Sequence, residues 1–355
     1  MKAALIQAPG RLTLENLPVP VAGDYEVVCE LLWGTICSGT DSHILDGSFP
    51  WIGPLPTVPG HESIGRVIEI GPKVRHYRVG DLVTRVGMPP RPDLGISVTW
   101  GGFAEYGIAK DHWAMAADGM PASQWEAFRV HQILPTGIDP RIAPLFITWR
   151  ETYSYLLRRG IRPGHSVLIV GSGGNGLSFA CHAANEGVDP LVMIGSPRLR
   201  EMAETRVGVS HYLDYRSPDL GERLREIRPE GFDFILDAIG KREMMESLLP
   251  HLKPWGHYAL YGLDDYGHFQ LNPLRSRHPF TLHPPGDYDE AETHQRVSEA
   301  CLSGRLDPTL WLDTETGFTL DTLAEAFQAV RERRTLKALV RLCGSVAEGL
   351  PTFSS

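Results

Sequence analysis

Gly171, Ser172, Gly173, Gly174, Asn175 and Gly176 fit the spacing GxGxxG. They follow an unbroken apolar run over 167–170 and open a helix-forming stretch. In that context such a turn can hold the diphosphate of a dinucleotide. The first glycine permits the tight turn, the next lets backbone amides approach the phosphates, and the last lets helix pack on strand. The helix N-terminus then faces the anionic charge. The plainer alternative is a structural strand–helix turn with no ligand. The end of the second strand bears on which dinucleotide is held. An NAD-selective sheet carries Asp or Glu there to bind the ribose 2′-hydroxyl. Along PLVMIGSPRLR (190–200) that place falls to Gly195, followed by Ser196, Arg198 and Arg200. Glycine leaves room, serine can donate a hydrogen bond, and guanidinium matches a phosphate. The pattern predicts NADP, with NAD as the alternative if both arginines are merely solvated.

The elements that must position this turn change character along the chain. Up to about residue 110, short β-branched runs such as 25–33, 64–70 and 81–87 are split by Gly, Pro and Val-Gly-Asp punctuation. This pattern predicts an all-β, barrel-like part. From about residue 150 a helical run (150–160) precedes the apolar strand and glycine turn. Strands at 190–196, 232–240 and 256–263 then alternate with helices after 197 and near Lys241. Alternation of this kind predicts an α/β doubly wound parallel sheet. Helices near 290–304 and 321–333 and a strand over 336–342 complete the chain. The residues after Gly344 read as a loose tail.

A chain of 355 residues exceeds what one core usually supports, so two domains are expected. Net charge −9 argues against a nucleic-acid or anionic-membrane surface, and no run approaches a spanning helix. The N-terminus reads as a first strand, not a signal peptide. Five scattered cysteines without a CxxC point to a reduced, cytoplasmic location.

Several ordered segments resemble the medium-chain, zinc-type alcohol and polyol dehydrogenases along nearly the whole chain. They are GTICSGTDSH (34–43), PGHESIGRVIEIG (59–71), VGDLV (79–83), GGFAEY (101–106), GSGGNG (171–176) and DFILDAIG (233–240). The resemblance implies a GroES-like catalytic domain over 1–150, a Rossmann nucleotide domain over 151–283, and a segment over 284–355 that completes the first. It places the active site in the cleft between them. It implies a homodimer or homotetramer joined through an edge strand near 257–263, with a small molecule as substrate.

Carried over residue by residue, the resemblance assigns Cys37, His61 and Glu62 to a catalytic zinc. Thiolate, imidazole and carboxylate suit a tetrahedral ion with one open position. Thr40 and His43 would relay the hydroxyl proton to solvent. Asp237 and Gly240 would lie beside the cofactor, and Gly262 where backbone meets nicotinamide. The chain departs from the family in three ways. Its first motif is one residue longer, so aligning on Gly-Thr-Asp would put Ser38 in place of Cys37. The usual third-ligand place falls on Ile147, with Glu151 one turn on as a substitute ligand or as a residue touching cofactor or substrate. Residues 86–100 contain no cysteine, so no structural zinc is expected. Thr40, Asp41, His43, Arg150 and Glu151 suit a hydroxylated substrate, and His278 and His283 are candidates for the same pocket. The leading expectation is alcohol–carbonyl interconversion on a polyol, sugar or cyclitol-like substrate. The alternatives are a zinc-free quinone or enoyl reductase and a nucleotide-binding protein without catalysis.

Overall fold

The computed structural model describes residues 1–268 and 271–344; the tail expected after Gly344 lies outside them. Two compact units form, Met1–Ile147 with the chain from Trp311 onward, and Thr148–Leu310.

The first unit is built from short strands. β1 (Lys2–Ala8) pairs antiparallel with β2 (Arg11–Asn16), and β3 (Glu26–Ile36) is the long central strand. β4 (Thr57–Val58), β5 (Glu62–Ile70), β6 (Leu82–Thr84), β7 (Ser97–Val98) and β8 (Tyr106–Lys110) follow. One sheet runs β2-β1-β4-β7, while β3 lies between β5 and β8 in the other. Two register shifts along β3, between Val28 and Cys29 and between Leu31 and Trp33, bend it against β5. Such bulges raise local twist and re-aim side chains. The end of β3 and the start of β5 lie side by side, Thr35 opposite Glu62.

In the second unit six parallel strands form one sheet: β9 (Val167–Val170), β10 (Leu191–Gly195), β11 (His211–Asp214), β12 (Phe232–Asp237), β13 (Leu252–Leu260) and β14 (Thr281–His283). Their order is β11-β10-β9-β12-β13-β14. Every residue of β9, β10 and β12 is buried, as expected of parallel strands covered on both faces. The order reverses between β9 and β12, and ligands of such sheets bind beyond the carboxyl ends of the strands there. The chain then returns to the first unit with β15 (Phe318–Thr319) and β16 (Ala338–Arg341), which pairs with β3.

Three expectations are corrected. The chain leaves the second unit at 310, not at 283, because the helix Glu290–Leu302 is tied into that unit. Glu290 there pairs with the fully buried Arg150. Residues 257–260 are not at an edge either, since β14 covers β13; the edges are β11 and β14. The helix expected after Pro197 is a short irregular series of turns, Pro197–Leu199, Arg200–Met202 and Ala203–Val207.

Candidate active site

β3 ends at Ile36, so Cys37 leaves the sheet directly into a turn, and the helix Thr40–Asp46 begins three residues later. That short helix aims Asp41 back at the turn. Its carboxylate accepts the Cys37 amide at 2.8 Å and bonds His61 Nδ1 at 3.1 Å, with Asp41 fully buried. A carboxylate on Nδ1 leaves Nε2 as the free ligating nitrogen, the arrangement that orients metal-bound histidines. Cys37 Sγ, a His61 ring nitrogen and a Glu62 oxygen lie within 4.8 Å of one another, all buried. Ser38, by contrast, is exposed, whereas Cys37 is buried.

Glu62 is held from two sides. Thr35 Oγ1 donates to one oxygen at 2.5 Å, and Lys337 Nζ contacts both oxygens at 2.5 Å. Burial alone disfavours the charged imidazole of His61, but Asp41, Cys37 and Glu62 outweigh it and raise its pKa well above the ordinary value. Burial likewise opposes the Lys337 ammonium, yet Glu62, Cys37 and Asp41 raise its pKa too. The pocket therefore attracts cations, and its donor set fits a Zn²⁺-class ion with three protein ligands.

An aromatic wall that the sequence reading missed stands beside this trio. The Trp100 ring is 5.1 Å from His61 and 5.5 Å from Phe49, which lies 5.5 Å from Trp51. Trp100 and Arg85 both have positive φ, 70° and 57°, and the Arg85 guanidinium sits 5.7 Å over the Trp100 ring. Non-glycine residues rarely adopt that conformation, and the side chains it orients here border the metal-ligand trio. Thr40 and His43 lie three positions apart on the helix Thr40–Asp46, and His43 Nδ1 is 2.9 Å from Ser48 Oγ.

In the second unit the glycine turn leads from β9 into the helix Gly174–Asn185. Gly171 has φ 99°, and a Cβ at Gly176 would meet Gly171 O at 1.8 Å, so strand and helix touch at backbone distance. A Cβ on Gly173, the N-cap residue of the helix, would meet nothing within 4 Å. Open space before a helix start fits a diphosphate. The Gly195 expectation is corrected. A Cβ there would lie 2.3 Å from Tyr212 Oη and 2.4 Å from Ser172, so that room is already filled. Ser196 is fixed by the same pair, its amide donating to Ser172 Oγ at 3.0 Å and its carbonyl accepting from Tyr212 at 2.7 Å. Arg198 is exposed, and Arg200 lies 5.8 Å over the Tyr212 ring; neither has an ion-pair partner among the described residues.

Other expected site residues are engaged within the second unit. Both Glu151 oxygens accept tyrosine hydroxyls, from Tyr261 and Tyr288, each at 3.1 Å. Arg150 is fully buried and pairs with Glu290. Asp237 is fully buried and accepts the Ile239 and Gly240 amides and the Tyr258 hydroxyl. Gly262 is a glycine because a Cβ would lie 2.0 Å from the Ile239 carbonyl carbon. His278 is exposed, and His283 bonds His257 at 2.8 Å. Ile147 is fully buried and offers no ligand atom at the usual third place.

A parallel sheet with a dinucleotide-type turn at its switch point, plus a β-rich unit bearing a thiolate–imidazole–carboxylate trio, defines a class of two-unit oxidoreductases. Residues 23–119 match the alcohol dehydrogenase GroES-like domain and 174–281 the zinc-binding dehydrogenase domain, together more than half of the chain. The chain belongs to the medium-chain dehydrogenase/reductase superfamily. It is 25% identical over 349 residues to the L-galactonate-5-dehydrogenase of Escherichia coli, covering 96% of this chain and 98% of the relative. It is 23% identical to the sorbitol dehydrogenase of Bacillus subtilis over 86% of this chain and 87% of that protein. The crystal structure of benzyl alcohol dehydrogenase from Acinetobacter calcoaceticus matches with a TM-score of 0.78 at 18% identity, over 96% of this chain and 99% of that one. The protein is an oxidoreductase acting on CH–OH donors, and membership implies a pyridine-nucleotide cofactor. Among the described residues no helix is long and apolar enough to cross a membrane.

Proposed function

We propose that the protein interconverts an alcohol and its carbonyl on a small polyhydroxylated substrate. NADP would carry the hydride, and one zinc would be held by Cys37, His61 and Glu62. The buried trio, oriented by Asp41, carries this reading. When bound, the metal supplies Lewis acidity toward the substrate oxygen and the nicotinamide supplies the hydride position. The chain's own residues do the rest. Asp41 fixes His61 and the Cys37 turn, while Thr35 and Lys337 hold Glu62. Thr40 and His43 carry the hydroxyl proton outward along the helix Thr40–Asp46. Amides of the Gly171–Gly176 turn bind the diphosphate, and Ser196, Arg198 and Arg200 face the 2′-phosphate. Glu151 is a positioning residue for Tyr261 and Tyr288. Trp100 and Trp51 offer flat apolar faces to the C–H side of a sugar-like chain.

The polyol class is supported by relatives named for sorbitol and L-galactonate. Five free thiols suit a reducing cytoplasm. A homo-oligomer is proposed by analogy, with β14 as the sheet edge beyond β13. Steady-state oxidation of a panel of polyols, sugar acids and aliphatic alcohols tests the reading, with NADP and with NAD. Turnover highest with polyhydroxylated donors and NADP is expected. Absence of any alcohol turnover, alongside NADPH-dependent reduction of a conjugated enone, would replace it with the zinc-free reading that the buried Ile147 favours.

A further inference from the structure

A cleft of about 240 Å³ opens in the second unit at the amino ends of β9, β12 and β13, opposite the end that carries the glycine turn. Its charged lining comprises Arg159, Arg162, Lys253, His165, His257 and one carboxylate, Asp233. We infer that this cleft is a second ligand site, which binds a phosphate-sized oxyanion of a small molecule independently of the dinucleotide.

Four observations carry the inference. The Arg159 side chain lines the cleft while only 3% exposed, and one of its nitrogens pairs with Asp287. Asp287 fixes this guanidinium beside the cleft that it lines, so its charge contributes there without a rearrangement. Asp233 is already committed, accepting the Ser166 amide and hydroxyl and pairing with Lys253, so the carboxylate that faces the cleft is compensated. Arg162 is exposed and has no ion-pair partner among the described residues. Its amide donates to His165 Nδ1 at 3.1 Å, which puts the proton of the neutral ring on Nε2 as a further donor.

The backbone is bent to make this place. From the Phe232–Leu252 pair to the Phe234–His257 pair, β12 advances two residues while β13 advances five. The resulting bulge carries Lys253 to the cleft and holds Trp255 at φ 63°, 74% exposed. Bulges of this kind commonly re-aim side chains beside functional sites. Ring stacking braces the imidazoles, with Phe234 4.7 Å from His257 and 5.2 Å from His165. Burial first, then His165, lower the His257 pKa against an opposing pull from Asp233, and burial, Arg159 and His257 lower that of His283 to about 4 against Asp287.

Calorimetric titration of the full-length protein, saturated with its pyridine dinucleotide and at fixed ionic strength, tests the site with inorganic phosphate and with citrate. Saturable one-to-one phosphate binding is expected. Exposed Arg162→Glu should weaken it at least about tenfold, the effect of removing one charge-assisted bond and adding a like charge, while alcohol turnover stays unchanged. Citrate binding in place of phosphate, lost in the same variant, would assign the oxyanion to a carboxylate. A phosphate signal that vanishes once the dinucleotide is bound, or one equal in wild type and Arg162→Glu, would overturn the inference. So would silence toward both anions. Trp255→Phe serves as a second check, because only a ligand in this cleft would change fluorescence that this variant lacks.

Discussion

Replacing Lys337 by methionine should destabilise the first unit more than any surface substitution. The Lys337 and Glu62 side chains are each 1% exposed, and the ammonium contacts both carboxylate oxygens at 2.5 Å. Removing one partner of a buried pair leaves an uncompensated charge and costs about 3–5 kcal/mol. Thr35 offsets only part of this, through one hydrogen bond worth about 1.5–3 kcal/mol. The corresponding fall in melting temperature is on the order of 10 °C. Calorimetry of wild type, Lys337→Met, Glu62→Gln and the double variant closes a thermodynamic cycle. The double variant should recover at least about 2 kcal/mol relative to the sum of the singles. The sign with pH follows from the direction of the shift. The Lys337 pKa is raised above 10.5, so its contribution is fully present below that value and is lost only at higher pH. The loss on substitution should therefore be the same at pH 6 and pH 8. A Lys337→Met protein within 1 kcal/mol of wild type, or singles that add with no coupling, would refute the reasoning.

Three further outcomes follow from the geometry. Asp41→Asn, which weakens the partner of His61 Nδ1 and of the Cys37 amide, should lower zinc affinity about 10–100-fold in competition with a chromogenic chelator; unchanged affinity would remove Asp41 from its positioning role. Arg198→Ala should raise KM for NADPH about tenfold or more and leave that for NADH nearly unchanged, since the side chain is exposed, has no ion-pair partner among the described residues and would meet only the 2′-phosphate; equal effects on both would point to NAD. His182 is buried on Trp149 O at 2.9 Å, and desolvation lowers its pKa to about 3. Its folded pKa lies below the unfolded value of 6.5, so its stabilisation is full above pH 6.5 and is lost as pH falls toward 3. Stability should then decline by up to about 1.4 kcal/mol per pH unit over that range, and His182→Asn should flatten the curve in urea titrations.

What could be read from the residues, and what could not, divides along physical lines. The turn at Gly171–Gly176 was legible because each glycine answers a local demand of the backbone, and the structure meets those demands at Gly171 and Gly176. The parallel strands were legible because burial on both faces makes them continuous apolar runs. Lys337 was not, because its partner is 275 positions away and nothing nearby distinguishes it from a solvated lysine. A charged residue heading the apolar strand 336–342 was the one available signal. Gly195 was misread because its tight packing comes from Ser172 and Tyr212, which belong to two other segments. The spacing left Cys37 and Ser38 as alternatives, and the contact that favours Cys37, the Asp41 side chain reaching back four residues to the Cys37 amide, is one no spacing rule encodes. The return of the chain at 310 was missed because the helix Glu290–Leu302 is legible as a helix while its tie to the second unit, Glu290 to Arg150, spans 140 positions and leaves no local mark.

The most direct test of the catalytic reading is the metal content of gently purified protein, measured by mass spectrometry alongside Cys37→Ala and Ser38→Ala. One zinc per chain is expected in wild type and in Ser38→Ala, and substantially less than one in Cys37→Ala, with alcohol oxidation falling in step. Wild-type protein that oxidises alcohols at full rate with no stoichiometric metal, or a Cys37→Ala protein that keeps its zinc, would contradict the account.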